Sequence, residues 1–134
     1  MPERSAIENL ANTYSLCYDS GDLETMAGLF TEDAVFSLVV AGGDRIAFES
    51  RDAIMKLMGD SLATQTDQRR HINSNLIVEG EADGVTKTTH YLTLVATEDG
   101  AISLLSAGVY SSTIVEDAGV LRFRTLHLDL DKAY

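Results

Sequence analysis

Two histidines stand on what read as neighbouring strands: His71 opens the run His71 to Glu79, and His90 lies within the run Val85 to Ala96. An unperturbed imidazole titrates close to neutral pH, so two of them on a half-enclosed sheet can act as acid and base. Alternation puts His71, Asn73, Asn75 and Ile77 on one face of the first strand, and Thr88, His90, Leu92 and Leu94 on one face of the next. Upstream, Tyr14 and Tyr18 are four residues apart and share a helix face, and Asp19 follows at that helix's end. That is a pocket wall of two phenols with a carboxylate beside it. Each group has a plainer alternative: a histidine satisfied in the core or by solvent, tyrosines that are ordinary amphipathic core, and an aspartate that only solvates a helix terminus.

The other reactive residue types carry less. Two histidines and one carboxylate are the donor set of a mononuclear iron site, but the spacing lacks a local metal motif. His127, Asp129 and Asp131 share one face of the last strand, while Leu126, Leu128 and Leu130 share the other, which leaves the polar set to solvent. Ala41-Gly42-Gly43-Asp44 joins strands and precedes no helix, so it is a turn rather than a phosphate cradle. Cys17 has no basic neighbour in sequence and reads as a small buried hydrophobe.

The elements that position these groups are legible in the periodicity. Ile7, Leu10, Ala11, Tyr14, Cys17 and Tyr18 recur at helical spacing and predict a helix from about Pro2 to Asp19. Ser20-Gly21-Asp22 stops it and caps a second, short helix that closes at about Phe30. Thr31-Glu32-Asp33 reads as a turn, followed by a hairpin of Ala34 to Val40 with Arg45 to Phe48. Ser50 can cap a third helix with Ala53, Ile54, Leu57, Met58 and Leu62 as its apolar stripe. His71 to Glu79, Val85 to Ala96, Ile102 to Val115 and Val120 to Leu130 are then four strands joined by acidic hairpins. Helices first and a meander afterwards make an α+β plan, with the helices over one face of a curved antiparallel sheet that leaves a pocket.

Composition bounds the partners. The chain has 134 residues with no internal repeat, linker or low-complexity stretch, so a single domain is expected over residues 1–134. A formal charge of −11 disfavours nucleic acid and anionic membrane. One cysteine, and neither a signal peptide nor an apolar run of spanning length, give the expectation of a cytoplasmic protein.

Taken together, Tyr18-Asp19-Ser20-Gly21-Asp22, Leu29-Phe30-Thr31-Glu32-Asp33-Ala34, Arg70-His71-Ile72 opening a strand and His90-Tyr91-Leu92 within the next form an ordered pattern. In order and spacing it resembles the scytalone dehydratase-like branch of the SnoaL-like, nuclear transport factor 2-like superfamily, over nearly the full chain. The resemblance implies a cone-shaped, barrel-like α+β fold: three N-terminal helices on a strongly curved mixed, mainly antiparallel sheet enclosing a pocket. It implies no metal and no cofactor. It makes Tyr18 the group that polarises substrate oxygen, His71 the acid/base histidine, and Asp19 the carboxylate that orients the second histidine, His90. Tyr14 falls at an aromatic pocket position. The family's second carbonyl-polarising tyrosine falls at Leu38, its pocket serine at Gly108 and its pocket asparagine at Tyr110, departures that argue against the fungal substrate itself. Leu38, Asn73, Leu92 and Tyr110 complete the substrate-binding candidates.

The expected activity is therefore that of a cofactor-independent lyase, most simply a dehydratase working through an enolate. Its substrate would be a small, largely apolar, aromatic or polycyclic hydroxy-carbonyl compound. An isomerase, cyclase or carbon-carbon lyase would use the same residues, and a noncatalytic ligand-binding domain is the alternative from another class. An enzyme needs His71, His90, Asp19 and Tyr18 to converge on one cavity. A homodimer or homotrimer is expected from the resemblance and from the long strand Ile102 to Val115, whose two faces cannot both meet the helices.

Overall fold

The computed structural model describes residues 1–134. The first helix, α1 (Arg4–Ser20), buries Ile7, Leu10, Ala11, Tyr14, Cys17 and Tyr18, the face its periodicity marks. Gly21 ends it at φ 73°, a left-handed conformation that glycine adopts without a Cβ penalty, and the Gly21 and Asp22 N–H groups close back on the Tyr18 and Cys17 carbonyls. Asp19 is thereby fixed in the last turn. Asp22 then caps α2 (Leu23–Ala27), its carboxylate accepting from the Thr25 N–H at 3.1 Å.

The second helix stops three residues short of Phe30, which instead begins β1 (Phe30–Val40) and pairs with Phe123. Thr31, Glu32 and Asp33 are not a separate turn but lie inside β1, where the register slips between Phe30 and Val35. β1 folds back on β2 (Ile46–Glu49), and Ser50 caps α3 (Arg51–Thr64) by accepting from the Ala53 N–H at 3.1 Å. The meander follows as β3 (Gln68–Ala82), β4 (Val85–Glu98), β5 (Ala101–Asp117) and β6 (Val120–Leu130). Three of these strands outrun their apolar cores at one or both ends, because backbone pairing continues through polar residues that periodicity reads as loop.

The six strands form one mixed sheet in the order β2-β1-β6-β5-β4-β3, which does not close on itself. Every pairing is antiparallel except β1 with β6, which brings the N-terminal hairpin alongside the C-terminal strand. The helices cover one face, α1 on β3 and β6, α3 on β1 and β2. Side chains of cross-strand partners share a face, so the registers His71↔Leu94, Asn73↔Leu92, His90↔Tyr110, Tyr110↔Leu128 and Leu38↔Leu128 put all of these residues on the helix-covered side. Between sheet and helices lies a core of Tyr14, Phe30 and Phe123 packed edge-to-face or tilted at 5.7–6.2 Å. No helix is long and apolar enough to cross a membrane.

Candidate active site

Asp19 reaches from the end of α1 to the start of β3 and meets His71 twice. Its Oδ1 lies 2.6 Å from His71 Nδ1, and its Oδ2 accepts from the His71 backbone N–H at 3.0 Å. Both side chains are more than nine-tenths buried. A carboxylate in this position can only accept, so the neutral imidazole carries its proton on Nδ1 and turns the Nε2 lone pair away from Asp19. The expected partnership of Asp19 with His90 is not formed. The helix explains why: His71 faces Leu94, and His90 lies four residues further along β4, about 13 Å away at strand rise. Ala11, eight residues or about 12 Å back along α1, is the helix residue at that level.

His71 opens into a chamber of about 120 Å³, lined by Tyr14, Tyr18, Phe36, Leu38, Leu57, Met58, Ser61, His71, Tyr110, Leu128, Leu130 and Tyr134. Four of the expected site residues besides His71 thus meet there: Tyr14, Tyr18, Leu38 and Tyr110. The Tyr18 ring sits 4.8 Å from the His71 ring, and its hydroxyl donates to Gln65 Oε1 at 3.1 Å. Gln65 is held in turn by donating to the Asp67 carbonyl at 3.0 Å. Tyr14 is buried with its hydroxyl against Met58 Sδ at 3.9 Å, and its ring stands edge-on to Tyr110 at 6.2 Å. Burial pushes the Tyr14 and Tyr110 phenols well above their ordinary range, with each other's proximity adding to the rise for Tyr14. Both therefore stay protonated and present O–H donors. Burial likewise raises the Cys17 thiol, in keeping with an inert core residue.

Three expected residues lie elsewhere. Leu92 is in the core at 1% exposure and does not line the chamber. Asn73 and His90 line a separate recess between α1 and β3. His90 is stacked on the far side of Tyr110, ring centroids 5.0 Å apart, and burial lowers its pKa to about 4. Gln65 and Tyr134 are chamber-side residues that the sequence reading missed. Gln65 follows the polar end of α3, and Tyr134 lies beyond the last periodic strand, held under the Arg69 guanidinium at 4.9 Å.

Gly108 occupies the position where the resembling family has a pocket serine, and here any Cβ would press into the Asp129 backbone oxygen. The close approach of β5 to β6 therefore requires glycine. His127 faces away from the helices, bonded to Ser37 Oγ at 2.7 Å. A larger surface groove of about 760 Å³ runs past Thr31, Arg51, Glu116 and Arg124, but it is open and polar and carries one apolar residue. No three His, Cys, Asp or Glu side chains cluster anywhere as a metal-ligand set.

The chain matches the model of the SnoaL-like domain over residues 1–127. No curated protein matches it at the level of sequence. Among solved structures it is similar to ActVI-ORFA of Streptomyces coelicolor, at 22% identity and a TM-score of 0.81 over 95% of this chain and 96% of that one. It is similar to a Catenulispora acidiphila protein in complex with S-DNPA, at 21% identity and a TM-score of 0.82 over 95% and 92%. A third is an NTF2-like protein with a cystatin-like fold from Novosphingobium aromaticivorans, at 21% identity and a TM-score of 0.81 over 95% and 80%. At these identities the likeness is one of fold.

Proposed function

Since the chain belongs to the SnoaL-like family, we propose that it is a cofactor-independent lyase of the dehydratase type, with Asp19 and His71 as its proton-transferring pair. Members of the family are often cofactor-independent polyketide cyclases or dehydratases. The observation that carries the proposal is the carboxylate-fixed imidazole at the wall of an apolar chamber, 2.6 Å from Asp19 on one side and free on the other. Of the four residues whose convergence an enzyme was expected to need, Tyr18, Asp19 and His71 meet here and His90 does not, so His90 is given no proton-transfer step. A ligand-binding module has no need of the remaining pair.

In the proposed reaction His71 Nε2 takes the proton on the carbon next to a substrate carbonyl, and Asp19 stabilises the imidazolium that forms. Electrons from the C–H bond pass to the carbonyl oxygen, where Tyr18 or Tyr110 donates a hydrogen bond to the developing enolate. Tyr18 does so by turning its hydroxyl from Gln65 to the substrate. The enolate then reforms the carbonyl and a carbon-carbon double bond while the β-hydroxyl leaves, taking the proton back from Nε2 as water. The same first step serves an isomerase, cyclase or carbon-carbon lyase. Leu38, Phe36, Leu128 and Leu130 supply the apolar walls.

The chamber is smaller than the roughly 300–1,000 Å³ of sites that enclose drug-sized ligands. It suits a compound of one aromatic ring; a polycyclic one requires the Tyr134 side of the mouth to open. The test is a panel of one-ring and two-ring aromatic β-hydroxy ketones incubated with the protein in D₂O. Deuterium uptake next to the carbonyl and the appearance of enone absorbance support the proposal; binding of the ketones with neither change would reject it.

A further inference from the structure

We propose that the recess between α1 and β3, walled by His90 and Asn73, is a second binding site for an uncharged group that both donates and accepts hydrogen bonds, a carboxamide or a hydroxyl. The recess measures about 230 Å³ and shares no lining residue with the Asp19–His71 chamber. The Tyr110 ring, stacked on His90, separates the two.

Two of the residues that wall it each carry a buried polar atom with no partner in the protein: His90 Nδ1 and Asn73 Oδ1. His90 is only 4% exposed, so its ring nitrogen is not hydrated by open solvent. The Asn73 amide nitrogen is committed to Ser15 Oγ at 2.9 Å, Asn12 Oδ1 at 3.2 Å and the Ala11 carbonyl at 3.4 Å, which fixes the direction of its unsatisfied oxygen. Buried donors and acceptors are nearly always paired, and leaving one unpaired is costly, so two in one recess mark a place where a ligand completes the set. They are diagonal neighbours on the sheet, since Asn73 faces Leu92 and His90 is two residues along. A slip in the β3 register between Ser74 and Ile77, with Asn75 at φ 56°, opens the strand at this level.

The rim sets the charge of the ligand. Arg4 donates to Glu8 at 2.9 Å and to the Leu76 carbonyl at 2.8 Å, so the two rim charges answer each other and attract no ion. Burial disfavours the charged form of His90, and the wall is neutral at physiological pH. A neutral imidazole offers one donor and one acceptor, and Asn73 adds an acceptor. Acetate would face the Asn73 oxygen with no proton to offer.

The site stands independently of the proposed reaction and is tested without substrate. Acetamide, ethylene glycol and acetate are titrated into the full chain while the imidazole nitrogens and the Asn73 amide are followed by ¹⁵N NMR. Acetamide should saturate the His90 and Asn73 signals at about 1–10 mM, the range open to a ligand of so few atoms, and leave His71 unmoved. Ethylene glycol should do the same, and acetate should bind at least about tenfold more weakly. His90→Phe, which keeps the ring on Tyr110, and Asn73→Ala should each weaken acetamide about tenfold; where either fails to fold, the wild-type titrations decide. A response that does not saturate, equal binding of acetate, or shifts at His71 instead of His90 would overturn the proposal. So would a recess that holds ordered water in the presence of high acetamide.

Discussion

Acidification should unfold this protein partly through one residue, His90. Its pKa is lowered to about 4 in the fold by burial, against an ordinary value of 6.5. Between those values the unfolded chain binds a proton there that the folded chain refuses, so the contribution is fully present above pH 6.5 and is lost as pH falls toward 4. From pH 6.5 to pH 5 the gap spans about 1.5 pH units at about 1.36 kcal/mol each, or about 2 kcal/mol lost, and about 3 kcal/mol by pH 4. All 21 carboxylates and the other two histidines titrate as well, so the measurement must be differential. His90→Phe keeps an aromatic ring stacked on Tyr110 and removes only the titrating nitrogens. Urea melts of both proteins at pH 7.5, 6 and 5 isolate the effect: the wild type should lose about 2 kcal/mol more than the variant between the first and last. Parallel stability curves, or an NMR titration of His90 with a midpoint near 6.5, would show that the ring is solvated and its burial without consequence.

Asp19→Asn should lower turnover by about 10²–10⁴, because an amide at that position can present an N–H to Nδ1 and reverse the tautomer, and adding His71→Ala should cost little more. Strictly additive losses in single-turnover rates would separate the two residues. Gly108→Ala should destabilise the fold by about 1–3 kcal/mol in a urea melt, since its Cβ has no room beside the Asp129 carbonyl; an unchanged midpoint would mean β5 and β6 can part at no cost. The face of the sheet away from the helices exposes Ile72, Tyr91, Ile102 and Leu104, and association as a homodimer or homotrimer is expected there. Light scattering at micromolar concentration should show the oligomer and Leu104→Lys should disperse it, whereas a monomeric wild type would refute the expectation.

Where a residue's pattern and its packing coincide, the sequence is a sufficient guide. Leu126, Leu128 and Leu130 bound β6 correctly because every second residue is core, and Ser50 marks the start of α3 because its hydroxyl does the capping. Tyr14, Tyr18 and His71 reach one chamber as spacing and resemblance suggest. The pairing of Asp19 was not legible, because it depends on how far β3 slides along α1, which no local pattern encodes. The displacement of His90 into its own recess has the same origin, compounded by the irregular register after Ser74. Gln65 and Tyr134 escape notice for a different reason: they act from loops, where a polar or terminal residue carries no periodicity to distinguish it.

The central claim is that His71, held by Asp19, moves the proton, and single-turnover deuterium exchange into a β-hydroxy ketone with wild type and His71→Ala tests it most directly. The exchange rate should fall by about 10²–10⁴ in the variant, while the ketone's dissociation constant and the near-ultraviolet dichroism of the four chamber tyrosines stay nearly unchanged. Exchange at the wild-type rate in His71→Ala would contradict the account and place the proton transfer on another residue.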